Sequence, residues 1–114
     1  MQAVIKNSGR ILVGNLTVAD SIFCRMKGLL GKEGLPDGEG LWIKPCNSVH
    51  SFGMKFTIDV IFLNKEQRVI TIKSELKPNR LTAIYFGASS VLELPAGSAR
   101  EAQLSVGDVI DFAA

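Results

Sequence analysis

Apolar residues in this chain come in short runs of β-branched and aliphatic side chains, cut at near-regular intervals by glycine, proline, asparagine and aspartate. Runs too short for helices and bounded by turn formers read as β-strands. Residues 3–6 and 11–16 flank Asn7-Ser8-Gly9 and predict an opening hairpin. Residues 58–63 and 68–72, joined by Asn64-Lys65-Glu66-Gln67, predict a second hairpin with a four-residue loop. Leu41-Trp42-Ile43 predicts a brief strand that Pro45 interrupts, because proline has no amide for the ladder, with Trp42 anchoring the core. Residues 81–86, 91–94 and 109–112 supply three more strand candidates, punctuated by Gly87, Pro95, Gly97 and Gly107-Asp108.

One stretch has the helical period instead. Ile22, Met26, Leu29 and Leu30 fall on a single stripe, Asp20 or Ser21 can accept hydrogen bonds from the first-turn amides, and Gly31 ends the helix. Gly28 inside it costs about 1 kcal/mol against alanine, which implies close approach by another backbone element. Residues 32–40, with three glycines and one proline, predict a loop, and residues 99–104 a helical turn. The sum is a mainly β (α+β) fold, a small β-sandwich or distorted barrel of about eight short strands with one packed helix. Without internal repeats or a linker-like segment, residues 1–114 read as a single domain.

Composition narrows the function classes. With 46% hydrophobic and 21% charged residues the chain is too apolar for disorder and too polar for a membrane span. The net charge of +2 is spread without a dense basic block, so no nucleic-acid partner is expected. No apolar run approaches the roughly 20 residues that cross a bilayer, and the opening Met1-Gln2-Ala3-Val4-Ile5-Lys6 does not read as a secretory signal, so the expected location is cytoplasmic. Cys24 and Cys46 are too few for a disulfide framework or a four-cysteine zinc site and read as reduced thiols. No cofactor is expected.

Reactive residue types concentrate in residues 46–59, which hold the single histidine, His50, together with Cys46, Met54, Lys55 and Asp59. Extended or helical, the segment groups Cys46, His50 and Met54 on one side. An extended strand separates the Cys46 and His50 α-carbons by about 13 Å, so a shared zinc or copper ion requires a turn between them. The same two residues could act as nucleophile and base, oriented by Asp59 or Glu93, although their spacing matches no thiol-enzyme signature. A plainer reading makes Phe52, Met54 and Phe56 core contacts, bonds His50 inside the fold through one ring nitrogen, and treats Cys46 as a small hydrophobe. Glu93 interrupts the apolar string Val91-Leu92-Glu93-Leu94 and needs a partner. Arg25 or Lys55 would make it a structural clamp or the polar floor of a pocket.

Four motifs in order, Arg25-Met26-Lys27-Gly28-Leu29-Leu30-Gly31, Phe52-Gly53-Met54-Lys55 running into Ile58-Asp59-Val60-Ile61-Phe62-Leu63, Val91-Leu92-Glu93-Leu94-Pro95-Ala96-Gly97, and Gly107-Asp108, span nearly the whole chain. Through them it resembles the bacterial and archaeal family called domain of unknown function 192. The resemblance implies a compact, mostly β domain with a short helix and no established activity, substrate or cofactor. Many relatives have tryptophan where this chain has Gly53, so a site of the broader family is not carried over to this chain unchanged. Many also resemble exported proteins, or components encoded near secretion or pilus machinery, which keeps an accessory role open. The expected function is a non-catalytic binding or accessory module for an unknown protein or small-molecule partner, with Arg25, Gly28, Met54, Asp59, Glu93 and Gly97 serving mainly the fold. The alternatives are a metal or thiol site on Cys46 and His50, and a small-ligand pocket near Lys55 and Glu93.

Overall fold

The computed structural model describes residues 1–19 and 33–113. The predicted helix with its caps Asp20 and Ser21, Cys24, Arg25 and Gly28 lies outside the described residues. Within them the chain forms β1 (Gln2–Ile5), β2 (Ile11–Val13), β3 (Asn15–Ala19), β4 (Glu39–Ile43), β5 (Ile58–Leu63), β6 (Val69–Leu76), β7 (Ser90–Pro95), the short helix α1 (Ser98–Glu101) and β8 (Ile110–Ala113). One sheet has the order β2-β1-β8 and the other β3-β4-β7-β5-β6. Only the β3–β4 pair is parallel among the paired strands described. The sandwich reading holds and the barrel does not: each sheet keeps two edges rather than closing on itself.

Both predicted hairpins form, with instructive departures. The apolar run 11–16 divides at Gly14, where the Gly14 and Asn15 amides both donate to the Gly38 carbonyl at 3.1 and 2.8 Å. That contact draws β3 away from β1 and into the parallel pair with β4 in the other sheet. In the second hairpin the Asn64 side chain accepts from the Glu66 and Arg68 amides at 3.0 Å each, which closes the loop as an Asx turn does. β6 runs on to Leu76, past the expected end, through a bulge that sets Ser74 and Glu75 against Asp59 alone. Glu39 and Gly40 belong to β4 rather than to the predicted loop. A Cβ on Gly40 would lie 2.8 Å from Leu94 Cδ2 and 2.9 Å from Val13 Cγ2, so glycine there is a condition for the sheets to meet.

Every residue of β5 and β7 is buried, because the five-stranded sheet is covered on both faces. Side-chain alternation sends Trp42, Ile61, Leu63, Leu92 and Leu94 toward the three-stranded sheet, where they pack with Ala3, Ile5 and Val13. Leu41, Ile43, Ile58, Val60, Phe62 and Val91 face the other way, under Val49 and Met54 and the flanking Phe56 and Tyr85. The second cover is made of loops, residues 46–57 and 77–89, and not of a sheet. Residues 81–86 therefore depart from expectation: they make one isolated bridge, Leu81 to His50, instead of a strand. No helix among the described residues is long and apolar enough to cross a membrane.

Candidate functional site

The two covering loops hold each other through an irregular ladder. Tyr85 donates its amide to the Asn47 carbonyl (2.9 Å), Thr82 to Val49 (2.9 Å), Ser51 to Arg80 (2.8 Å) and Asn79 to Ser51 (2.9 Å). Two buried hydroxyls serve what the ladder leaves over. Thr82 Oγ1 accepts from the Val49 amide at 3.0 Å, and Ser51 Oγ donates to the Lys77 carbonyl at 2.6 Å while accepting from the Arg80 amide at 2.9 Å. Ser and Thr supply donor and acceptor together, which suits them to satisfying loop backbone away from water.

Placing Ser51 inward turns both of its neighbours outward. His50 is exposed and stacks on Phe52, with ring centroids 5.3 Å apart and planes at 23°. Phe52 is 50% exposed. Gly53, at φ 80°, reverses the chain so that Met54 returns to the interior. Two expectations are thereby corrected: His50 is not bonded inside the fold, and Phe52 is not a core contact. Met54 and Phe56 do pack against the second hydrophobic cluster.

Cys46 is half-buried, and its Sγ donates to the Ser48 carbonyl at 3.1 Å. The thiol and the imidazole are thus engaged with different groups, and no set of three His, Cys, Asp or Glu side chains among the described residues stands where it could hold a metal ion. Lys55 pairs with Glu33 at 2.7 Å, both side chains being largely solvent-exposed, so the expected link from Lys55 to Glu93 is not made. An exposed pair of this kind contributes little stability.

The two carboxyls behave differently. Asp59 is fully buried and accepts two amides, Glu75 at 2.8 Å and Ala99 at 3.0 Å, which commits both oxygens to backbone. Glu93 is 4% exposed, and burial pushes its carboxyl up to about 7. Glu93 pairs with Val60 and Asp59 with Leu94 across β5 and β7, so the two side chains leave opposite faces of the sheet. They cannot orient a common thiol or base.

Sequence reasoning missed the outer surface of the loops. Leu81 (67%), Ile84 (55%) and Phe86 (87%) project into solvent, as Phe52 does, from two loops that hydrogen-bond to each other. Residues 81–86 are apolar in both phases of a strand except at Thr82, so their periodicity could not show which side faces out. The pre-proline position of Lys77 and the turn at Asn79, with φ 62°, were the available signal for a loop.

A family model described as Uncharacterized ACR, domain of unknown function 192, matches residues 3–112. This chain belongs to that family. A UPF0127 protein of Thermococcus sibiricus is 30% identical over 94% of this chain and 71% of its own length. Another, from Pyrococcus horikoshii, is 33% identical over 87% of this chain and 88% of its own. Among solved structures, a protein of unknown function from Novosphingobium aromaticivorans superposes with a TM-score of 0.78 at 22% identity, covering 98% of this chain and 93% of that one. A Sinorhizobium meliloti protein described as a candidate transcription regulator gives 0.79 at 20% identity, covering 96% and 89%. Both structures share the fold. Domain of unknown function 192 is an uncharacterised family, and these relatives bring no activity to the Cys46–His50 or Lys55–Glu93 alternatives.

Proposed function

We propose that this chain acts as one non-catalytic binding module, which docks the acidic-rimmed apolar surface of a partner protein onto residues 46–57 and 77–89. The observation that carries the reading is the gathering of Phe52, Leu81, Ile84 and Phe86, each at least half exposed, on these two loops. Elsewhere among the described residues Met1, Ile11 and Val106 are exposed singly, which is ordinary for a protein surface, whereas four large apolar side chains held outward along two joined loops point to an interaction site. The loops present this surface on a hydrogen-bonded base, so binding loses little conformational freedom.

Charge supports a foreign partner over a second copy. The two loops carry Lys55, Lys77 and Arg80 and no aspartate or glutamate, and with Lys55 paired to Glu33 the face keeps Lys77 and Arg80 as its like charges. Two copies meeting through this face would oppose like charges, while an acidic rim would complement it.

The test is capture of partners from the native cell with the wild-type protein and with a Phe52→Ser/Phe86→Ser variant, followed by reconstitution with the purified partner. The expected result is one partner whose binding requires both phenylalanines, weakens with salt and is competed by free domain. Dimerisation of the domain through this face, binding to anionic vesicles instead, or equal capture by the variant would each refute the reading.

A further inference from the structure

A second site lies at the end of the five-stranded sheet, where the second of these loops ends at Ser89. Lys44 follows β4, Ser90 opens β7 and Lys65 and Gln67 sit in the β5–β6 connection, and together with Trp42, Pro45 and Ser89 they line a cleft of about 300 Å³. Trp42 is stacked against Phe112 on one side, with centroids 3.7 Å apart and planes at 2°, and the Lys44 ammonium lies 4.2 Å from its ring centroid. Both Trp42 and Ser90 are more than nine-tenths buried. Yet Trp42 Nε1 and Ser90 Oγ have no hydrogen-bond partner among the described residues. Buried polar groups are normally satisfied, and two orphans on residues that line one cleft call for a ligand that supplies the partner.

We infer that this cleft binds a small oxyanion, a carboxylate or a phosphate, through Trp42 Nε1, Ser90 Oγ and the ammonium groups of Lys44 and Lys65. The chemistry of the lining selects the charge. An indole N–H and an ammonium can only donate, and the serine hydroxyl is able to. Among the described residues no aspartate or glutamate lines the cleft, and its one carboxamide is that of Gln67. A group meeting four donors, two of them cationic, must be an acceptor and is best an anion. The volume lies at the small end of ligand sites, which suits a metabolite-sized molecule and not a polymer. Lys44 already lies over the indole, so a bound anion would draw its ammonium toward the ring edge without rearranging the sheet.

Trp42 is the single tryptophan, so its indole N–H gives one resolved NMR resonance that reports on the site directly. Titration with inorganic phosphate and with acetate, each against sodium chloride at matched ionic strength, should move that resonance saturably with at least one oxyanion and not with chloride. A preference for phosphate identifies a phosphoryl ligand, and equal or better acetate binding a carboxylate. The Lys44→Ala/Lys65→Ala variant, altered only in side chains that reach solvent, should weaken the apparent affinity roughly tenfold or more, because charge-assisted hydrogen bonds are lost. Ser90→Ala should weaken it as well. A shift that does not saturate, that chloride reproduces, or that survives the double lysine variant overturns the inference. The Phe52→Ser/Phe86→Ser variant should retain the full response, so this site and the partner surface stand or fall separately.

Discussion

Ala99 donates its backbone amide to Asp59 across forty positions of sequence, at 3.0 Å and out of reach of solvent. Gly97 stands at the N-cap of α1 with φ 90° and no side chain to serve the first turn, so a carboxylate from the neighbouring strand does the capping. The other oxygen of Asp59 holds the Glu75 amide in the β6 bulge, where Glu75 has φ 54°. One residue thus ties the bulge to the helix. Asp59→Ala should strand one buried and one part-buried amide and destabilise the fold by about 2–4 kcal/mol, read from urea unfolding. Hydrogen exchange at Ala99 and Glu75 should accelerate together. Faster exchange at only one of them would break the proposed linkage.

Glu93 should make stability depend on pH. Its carboxyl is raised by burial from 4.5 to about 7. Across that window the unfolded chain has released the proton and the folded chain retains it, so the native state binds more protons and stability falls as pH rises. The loss should amount to ~3 kcal/mol by pH 7 and stay constant above it. Glu93→Gln cannot ionise, and whatever its amide costs is independent of pH. The stability of the variant relative to wild type should therefore improve between pH 4.5 and 7 and then level off. Urea midpoints for both proteins over pH 4–8 measure this, and a pH-independent difference would mean that the carboxylate has a compensating partner.

Strand locations were legible where local pattern and burial agree. Residues 58–63 and 91–94 are apolar runs, each broken by a single carboxylate and bounded by turn formers, and they became the doubly covered β5 and β7. The opening hairpin was legible as far as Gly14, but the crossing of β3 to the other sheet depends on the Gly38 carbonyl, a contact that no local pattern encodes. For the site, residue chemistry pointed to the segment 46–59 and missed its orientation. His50 and Phe52 face outward because Ser51 has a backbone partner to reach inside, and that partner, Lys77, comes from a distant loop. Glu93 was recognisable as a buried carboxyl, whereas the cleft beside Trp42 is assembled from three separate connections and gives no linear signal.

The loop surface should be dispensable for folding while its underside is not. Phe86 is 87% exposed and Leu81 67%, so Phe86→Ser and Leu81→Ser should each change stability by about 0.5 kcal/mol or less. Met54, two residues beyond the exposed Phe52 yet only 7% exposed, should lose about 2–4 kcal/mol on conversion to alanine, since it leaves a cavity under the loops. Thermal unfolding of the three variants distinguishes a docking surface from a misjudged core: a large loss at Phe86 would assign that ring to the fold.

Gly40 sets how closely the two sheets approach. A methyl group there would meet Leu94 Cδ2 at 2.8 Å and Val13 Cγ2 at 2.9 Å, with the Glu93 carbonyl at 3.2 Å behind them. Two of these neighbours are ends of branched side chains in the packed interior, and the third is backbone that cannot swing aside. Gly40→Ala should therefore destabilise by about 1–3 kcal/mol through overpacking, against the usual benefit of alanine over glycine in regular structure. The cause can be separated from lost backbone freedom by a double-mutant cycle. Val13→Ala removes the methyl that the new Cβ would strike, so the cost of Gly40→Ala should shrink in that background by about 1 kcal/mol. Strictly additive effects in urea unfolding would show that steric contact between Gly40 and Val13 does not set the sheet spacing.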